Sequence, residues 1–205
     1  MSTLIKLSAF SLLLLVIGFS FPSCNNVDNG NAPSNGQFGI FRVIDDTTIE
    51  MNGTINGSTL RDFNRLLEVY SDIKLIKMDI VPGSEDDIIN LQVAKRVFDL
   101  NIDTHLMDNG EIASGGVDFF LAGVNRSIGN NTRIGVHSWS DGRQEATDFP
   151  VGHENHQLYI DFYFSIGFTQ QEAEAFYYFT INAAPADDIH WMTEAEILQY
   201  KIITQ

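Results

Sequence analysis

Two residues near the middle of the chain have the side chains that acyl-transfer chemistry requires. Ser114 lies between Ala113 and Gly115, and small neighbours of this kind allow a sharp turn that leaves a hydroxyl uncrowded. His137 follows the apolar run 134–136, and an imidazole is the side chain best suited to accept a serine proton at neutral pH. The pair therefore predicts a nucleophile and its general base.

The elements around these two residues are expected to bring them to one edge of a sheet. Strand patterns alternate with helical patterns along the chain, which predicts an α/β fold with a largely parallel sheet. Ser114 comes where a predicted strand gives way to a helix over 116–122, and His137 comes where the predicted strand 133–136 ends. Because α/β folds bind ligands at the carboxyl ends of their strands, we expect both side chains there.

Two glycines are candidates for stabilising negative charge on a reacting carbonyl oxygen. Gly115 follows Ser114 at the start of a predicted helix, where the helix dipole is positive. Gly83 follows Pro82 at the end of the predicted strand 73–81, just before another helix. We therefore expect the N–H groups of Gly83 and Gly115 to form an oxyanion hole.

The order of these motifs resembles that of a known family. A Pro-Gly turn, a small-Ser-Gly turn, a strand ending in Gly-Val-His and an Asp ahead of Trp-Met-Thr-x-x-Glu lie at 82–83, 113–115, 135–137 and 187–196. Over residues 48–203, this order resembles the Clp-protease proteolytic subunit and the wider Clp protease/crotonase superfamily. It is most similar to the exported, ATPase-independent Clp-like proteins of bacteria. The resemblance implies a Clp/crotonase-like fold whose sheet is flanked by helices, a serine peptidase and a possible homo-oligomer, since the family builds rings or trimers.

The resemblance also implies a role for each site residue. Ser114 would be the nucleophile and His137 the general base, with the N–H groups of Gly83 and Gly115 as the oxyanion hole. The imidazole would take the proton of the hydroxyl as the serine attacks, and the two N–H groups would hold the developing oxyanion.

The third catalytic residue of the family is an aspartate that orients the imidazole. Asp188 matches this position best, and Asp187 is the alternative. The sequence departs from the family in two places. Ser84 replaces the second glycine of the usual Pro-Gly-Gly turn, and the spacing from Asp188 to Thr193 is one residue longer than in Clp subunits.

Asp118 is a rival for the third catalytic position. It comes four residues after Ser114, on the same predicted helical face, within an otherwise apolar turn. A buried carboxylate needs a partner, and Arg126 or a backbone donor is the expected one. We favour structural pairing over catalysis for this residue.

The histidines and aromatic residues elsewhere predict no metal site and no cofactor. His153 and His156 stand three apart, whereas the metalloprotease pattern needs a separation of four, so a solvated helix start is expected. No phosphate-binding loop is present, and ATP is not expected. The aromatic residues of 159–164 and 176–179 could form either core or a substrate groove, and the loop with Trp139 is expected to border the pocket.

The N-terminal segment predicts export and lipid anchoring. Residues 1–23 read as a lipoprotein signal peptide, in which Lys6 precedes an apolar stretch too short for a good membrane span. Ser23-Cys24 at its end resembles a bacterial lipobox, so Cys24 is the expected lipidation site; an ordinary secretory signal is the alternative. Residues 24–37 would be the lipidated cysteine and a flexible tether, and residues 38–205 a single Clp/crotonase-like domain.

The net charge of the chain limits the classes of ligand that it could bind. The net charge of −15 argues against nucleic acid as a ligand. We expect a peptide or acyl substrate and attachment to a membrane of the bacterial cell envelope through the N-terminal lipid, facing the periplasm or the exterior. The leading hypothesis is a lipid-anchored serine hydrolase. The alternatives are a non-catalytic binding or assembly module on the same fold and crotonase-like acyl-thioester chemistry.

Overall fold

An eight-stranded mixed β-sheet forms the centre of the domain in the computed structural model, which describes Pro33 and residues 35–204. The predicted signal peptide, Cys24 and most of the predicted tether lie outside the described residues. The strands are β1 (Gln37–Phe38), β2 (Phe41–Asp45), β3 (Thr48–Met51), β4 (Leu75–Val81), β5 (Asp103–Ala113), β6 (Arg126–Ile128), β7 (Arg133–Val136) and β8 (His190–Trp191).

Within the described residues, six α-helices flank the sheet. They are α1 (Thr59–Val69), α2 (Asp87–Asp99), α3 (Gly115–Leu121), α4 (Glu154–Ser165), α5 (Gln170–Ala183) and α6 (Glu194–Gln199). Side chains at their first residues fix several helix starts. Thr169 and Thr193, for example, each accept a backbone N–H from a glutamate three residues on, and that glutamate accepts the threonine N–H in return. None of the described helices is long and apolar enough to cross a membrane.

The strands run in the order β1-β2-β3-β4-β5-β7-β8, and β6 pairs with the first half of β5. The central pairs are parallel, whereas the β1–β2, β2–β3 and β7–β8 pairs are antiparallel. The expectation of an α/β fold with a largely parallel sheet flanked by helices is therefore confirmed, with antiparallel pairing at both edges.

Aromatic side chains fill the space between the sheet and the helices. Phe41 of β2 lies with its ring centroid 5.3 Å from that of Phe63 on α1 and 6.3 Å from that of Phe119 on α3. All three residues are fully buried. This packing holds α3, the helix that begins directly after Ser114, in place against the sheet.

The sequence predicts Ser84 as the cap of α2 and a last short strand over 202–203, and both predictions were wrong. Ser84 does not cap α2, because the side chain of Asp86 accepts the Ile89 N–H at 3.0 Å and Ser84 instead donates to Asp87. The C-terminal residues 202–203 form no strand. The carbonyl of Ile202 accepts a hydrogen bond from the Arg126 side chain rather than from a sheet neighbour.

Candidate active site

Ser114 occupies a strained turn between β5 and α3. Its backbone has φ 51° and ψ −128°, a conformation that residues with a Cβ rarely adopt. Strain of this kind costs on the order of 1–3 kcal/mol and persists only where surrounding structure imposes it. Here the Ser114 N–H donates to the Gly135 carbonyl of β7 at 3.0 Å, which fixes the turn to the neighbouring strand.

The register of β5 and β7 brings Ser114 and His137 together. The parallel strands pair Ala113 with Gly135, so Ser114 and His137 leave the same edge of the sheet one and two residues later. Both residues line a single cavity. Nδ1 of the imidazole is buried and has no hydrogen-bond partner within the part of the chain that the structure describes.

Gly83 lies directly against Ser114. A Cβ placed on Gly83 would lie 3.2 Å from the Ser114 Cβ and 3.6 Å from its Oγ, and the φ of 145° favours glycine. In the described residues neither the Gly83 N–H nor the Gly115 N–H donates a hydrogen bond. Neither N–H group is therefore committed to a partner within this part of the chain, and Gly115 also lines the cavity.

Ser84, which departs from the family pattern, packs against Gly115. A Cβ on Gly115 would lie 2.7 Å from the Ser84 Oγ and 2.8 Å from the Nδ2 of Asn90. The Asn90 amide donates to the Gly115 carbonyl at 2.9 Å and holds the first turn of α3. The serine side chain thus fits because the facing residue has none.

Asp188 makes no hydrogen bond to His137 among the described residues. Asp188 is exposed to solvent, and its Oδ1 accepts the Ile189 N–H at 2.8 Å. Asp187 is exposed as well, and neither aspartate lines the cavity. The short β8 strand nevertheless pairs with β7 through His190 and Val136, which places this segment beside the strand that ends at His137.

Asp118 has a different partner from the one expected. Its Oδ1 accepts the Tyr163 hydroxyl at 2.6 Å, so the donor comes from α4. Arg126 instead donates to four backbone carbonyls, those of residues 121, 123, 201 and 202, and burial lowers its pKa to about 10. The expectation of Arg126 as the partner of Asp118 was therefore wrong, because carbonyls at the end of α3 and near the C-terminus satisfy the guanidinium.

Burial raises the pKa of the Asp118 carboxyl to about 7. The nearby negative charge of Asp87 also raises this pKa, while the hydrogen bond from Tyr163 opposes the shift. Asp118 lines the same cavity as Ser114 and His137. The cavity therefore contains a carboxyl group that titrates close to neutral pH.

An aromatic network forms one wall of the cavity. Trp139 Nε1 donates to the Tyr177 hydroxyl at 2.9 Å, and the same hydroxyl hydrogen-bonds to Nδ1 of His156 at 2.7 Å. Burial raises the pKa of Tyr177 to about 12. The expectation that the Trp139 loop borders the pocket agrees with this position, and the predicted aromatic cluster contributes to both core and cavity.

His153 and His156 differ in environment. His153 caps the start of α4, where its Nδ1 accepts the Asn155 N–H at 3.2 Å. His156 is buried, so the expectation of a solvated helix start was wrong for this residue. Within the described residues, no group of three or more histidine, cysteine, aspartate or glutamate side chains is arranged to hold a metal ion.

Sequence reasoning did not identify Asp87 as a cavity residue, and it left open whether Tyr159 and Tyr163 belong to the core or to a substrate groove; all three line the cavity. Tyr159 and Tyr163 are four apart on α4, and they donate to Asp87 and Asp118 respectively, each at 2.6 Å. Their spacing of four residues predicts that the two hydroxyl groups lie on one face of a helix. Their partners could not be read from it, because the contacts depend on how α4 packs beside α2 and α3.

Two solved structures have a similar fold. One is a membrane-bound stomatin-specific protease in complex with a substrate peptide, with TM-score 0.50 and 18% identity over 77% of this chain and 72% of that chain. The other is the ClpP protease catalytic domain from Plasmodium falciparum, with TM-score 0.50 and 22% identity over 77% of this chain and 82% of that chain. No model of a known protein family and no curated protein matches this sequence. The chain has the fold of ClpP-like protease domains.

Proposed function

We propose that this chain is an exported, lipid-anchored serine hydrolase that cleaves peptides. The observation that carries the proposal is the strained turn at Ser114, beside His137 in one cavity and against Gly83. Strained nucleophile turns, an adjacent base and free N–H donors together are what acyl transfer requires. The similar fold of two proteases favours a peptide over other acyl substrates.

The proposed reaction proceeds in two stages. His137 takes the proton from the Ser114 Oγ as this oxygen attacks the substrate carbonyl carbon, and the N–H groups of Gly83 and Gly115 hold the oxyanion that forms. The tetrahedral intermediate collapses, the C–N bond breaks, and the leaving amine takes the proton from His137. Water then enters, loses a proton to His137 and hydrolyses the acyl-serine, which regenerates the hydroxyl.

Asp188, the predicted third catalytic residue, could orient His137 only after its segment of the chain moved. Its Oδ1 accepts the Ile189 N–H, and Nδ1 of His137 has no partner among the described residues. The buried, unpartnered Nδ1 of His137 is also the observation that favours the second candidate, a non-catalytic binding module on the same fold. A binding module would keep the cavity without a reactive serine.

Labelling with a fluorophosphonate separates the two candidates. The hydrolase should form an adduct on Ser114, detected by peptide mass spectrometry of the folded protein between pH 6 and pH 9. Ser114→Ala should abolish the adduct, and Ser71→Ala, at an exposed serine outside the cavity, should leave it unchanged. Absence of any adduct on Ser114 across this pH range would leave the binding module as the function.

Membrane attachment needs its own experiment. In a bacterial host, metabolic labelling with a palmitate analogue should modify the full chain, and the protein should sediment with the membrane fraction. Cys24→Ser should abolish both the label and the sedimentation. Unlabelled protein released in soluble form would favour an ordinary secretory signal and refute the proposed lipid anchor.

A further inference from the structure

Two carboxyl groups face the cavity that contains Ser114. Asp118 is 8% exposed and lies one helical turn beyond the serine on α3. Asp87, the first residue of α2, lines the same cavity. Ser114 directly precedes α3 and Asp118 lies in the first turn of that helix, so the two side chains line the cavity from one short segment.

Neutral hydroxyl groups donate hydrogen bonds to three of the four carboxylate oxygens of Asp87 and Asp118. Asp87 accepts hydrogen bonds at both oxygens, from Ser84 and from Tyr159. Asp118 accepts one at Oδ1, and its Oδ2 has no hydrogen-bond partner among the described residues. Among the residues that the structure describes, the cavity lining contains no lysine and no arginine. The negative charge is therefore uncompensated, although buried carboxylates in proteins are normally paired.

The remaining walls suit an alkyl stem that ends in a cation. The rings of Tyr159 and Tyr177 stack with centroids 5.7 Å apart, and both rings line the cavity together with Phe176. Aromatic faces attract ammonium and guanidinium groups, and apolar walls accommodate the methylene stem of such a side chain. The aromatic walls and the acidic groups of the cavity thus favour the same kind of occupant.

We propose that this cavity is a specificity pocket for a cationic side chain, lysine or arginine, on the residue whose carbonyl group Ser114 attacks. The inference rests on the proposed peptidase function and adds the substrate class. Asp118 makes the decisive contact through its free oxygen, and Asp87 reinforces the attraction. Tyr163 is a positioning residue, because its hydroxyl donates to Oδ1 of Asp118 and so fixes the carboxylate while Oδ2 keeps no partner among the described residues.

The preference should depend on pH, because burial raises the pKa of Asp118 to about 7. The other titratable groups that line the cavity are Asp87 on α2, His137 after β7, Tyr159 and Tyr163 on α4, and Tyr177 on α5. Burial raises the pKa values of all three tyrosines, so they stay neutral in the accessible range. A bound cation would itself favour the ionised form of Asp118.

Binding to the Ser114→Ala protein tests the pocket without any reaction. Isothermal titration at pH 8 would use Nα-acetyl-lysine amide and Nα-acetyl-norleucine amide, which share the alkyl stem and differ in the charge. The lysine compound should bind at least about 10-fold more tightly. The preference should fall at pH 5.5. Equal affinities at pH 8, or tighter binding of norleucine, would overturn the proposal.

Two further variants assign the effect to Asp118. In the Ser114→Ala background, Asp118→Asn should remove most of the preference for the lysine compound, whereas Asp161→Asn, at an exposed aspartate on α4, should leave it unchanged. If Asp118→Asn does not fold, Asp87→Asn should still weaken the preference. Lysine binding without fluorophosphonate labelling of the unmodified protein would refute the peptidase and keep the pocket. Labelling of Ser114 without a preference for the lysine compound would support the peptidase and refute the cationic specificity pocket.

Discussion

Gly83 packs against Ser114 so closely that a methyl group on the glycine would lie 3.2 Å from the Ser114 Cβ. The two residues come from different strand ends, β4 and β5, and both have positive φ values, 145° and 51°. Each therefore restricts the conformation of the other. This contact places the backbone of Gly83, whose N–H donates no hydrogen bond among the described residues, against the serine.

Gly83→Ala should slow labelling of Ser114 while the domain stays folded. The added Cβ meets the serine and imposes a strained φ, so the loop must move and the Gly83 N–H moves with it. Loss of one oxyanion donor costs on the order of 10²–10³ in rate. Gly142→Ala is the matched control, because that glycine also has positive φ (85°) but no atom within 4 Å of an added Cβ. Equal labelling rates for the two variants would contradict the role of Gly83.

Gly115→Ala should lower the free energy of unfolding by about 1–3 kcal/mol, because the new Cβ would crowd Ser84 and Asn90. The double variant Ser84→Gly/Gly115→Ala removes the serine atoms at 2.7 and 2.8 Å and should recover much of this loss. Urea unfolding of the two single variants and of the double variant measures the coupling. Strictly additive effects would mean that the two side chains do not compete for one space.

Ser114→Gly should be more stable than Ser114→Ala by about 1 kcal/mol. Glycine relieves a backbone strain of about 1–3 kcal/mol, and this gain is offset by about 0.5–1 kcal/mol of extra unfolded-state entropy. Thermal unfolding under identical conditions compares the two proteins, neither of which should accept a fluorophosphonate. A more stable alanine variant would show that the turn at Ser114 carries no strain.

The stability of the protein should fall as the pH rises from 5 to 7, because of Asp118. Its pKa is about 7 in the folded chain against an ordinary value of 3.8, so in this range the native state keeps a proton that the unfolded state has lost. The contribution is complete below about pH 4 and is lost through pH 7, at up to about 1.4 kcal/mol per pH unit. Asp118→Asn should remove this slope in urea titrations at pH 5, 6, 7 and 8. Parallel profiles for the two proteins would show that the carboxyl is already ionised at pH 5.

Asp188→Asn should change the rate of Ser114 labelling less than 10-fold, because the Asp188 carboxylate is bonded to Ile189 and not to the imidazole. His137→Ala, which removes the base itself, should cost about 10²–10⁴ in that rate. Asp187→Asn provides the comparison at the neighbouring position. A loss near 10⁴ for Asp188→Asn alone would mean that this carboxylate reaches His137 during the reaction.

The amino-acid sequence by itself determined the local features of this protein. The alternation of strand and helix, the glycine turn after β4 and the residue types at Ser114 and His137 all follow from short-range patterns. Such patterns encode backbone conformation over a few residues, and here they were sufficient for the fold class and for the edge of the sheet where the site lies. They failed where a side chain had two possible partners nearby, as at Ser84 and Asp86.

Only the tertiary structure decided which side chains meet in the cavity. Tyr163 reaches Asp118 across 45 positions of the sequence, and Tyr159 reaches Asp87 across 72, because α4 packs beside α2 and α3. Arg126 likewise donates to backbone carbonyls near the C-terminus and not to the carboxylate of Asp118, its predicted partner. No local pattern encodes these pairings, since they depend on the register of distant elements and on which polar groups close packing leaves to be satisfied.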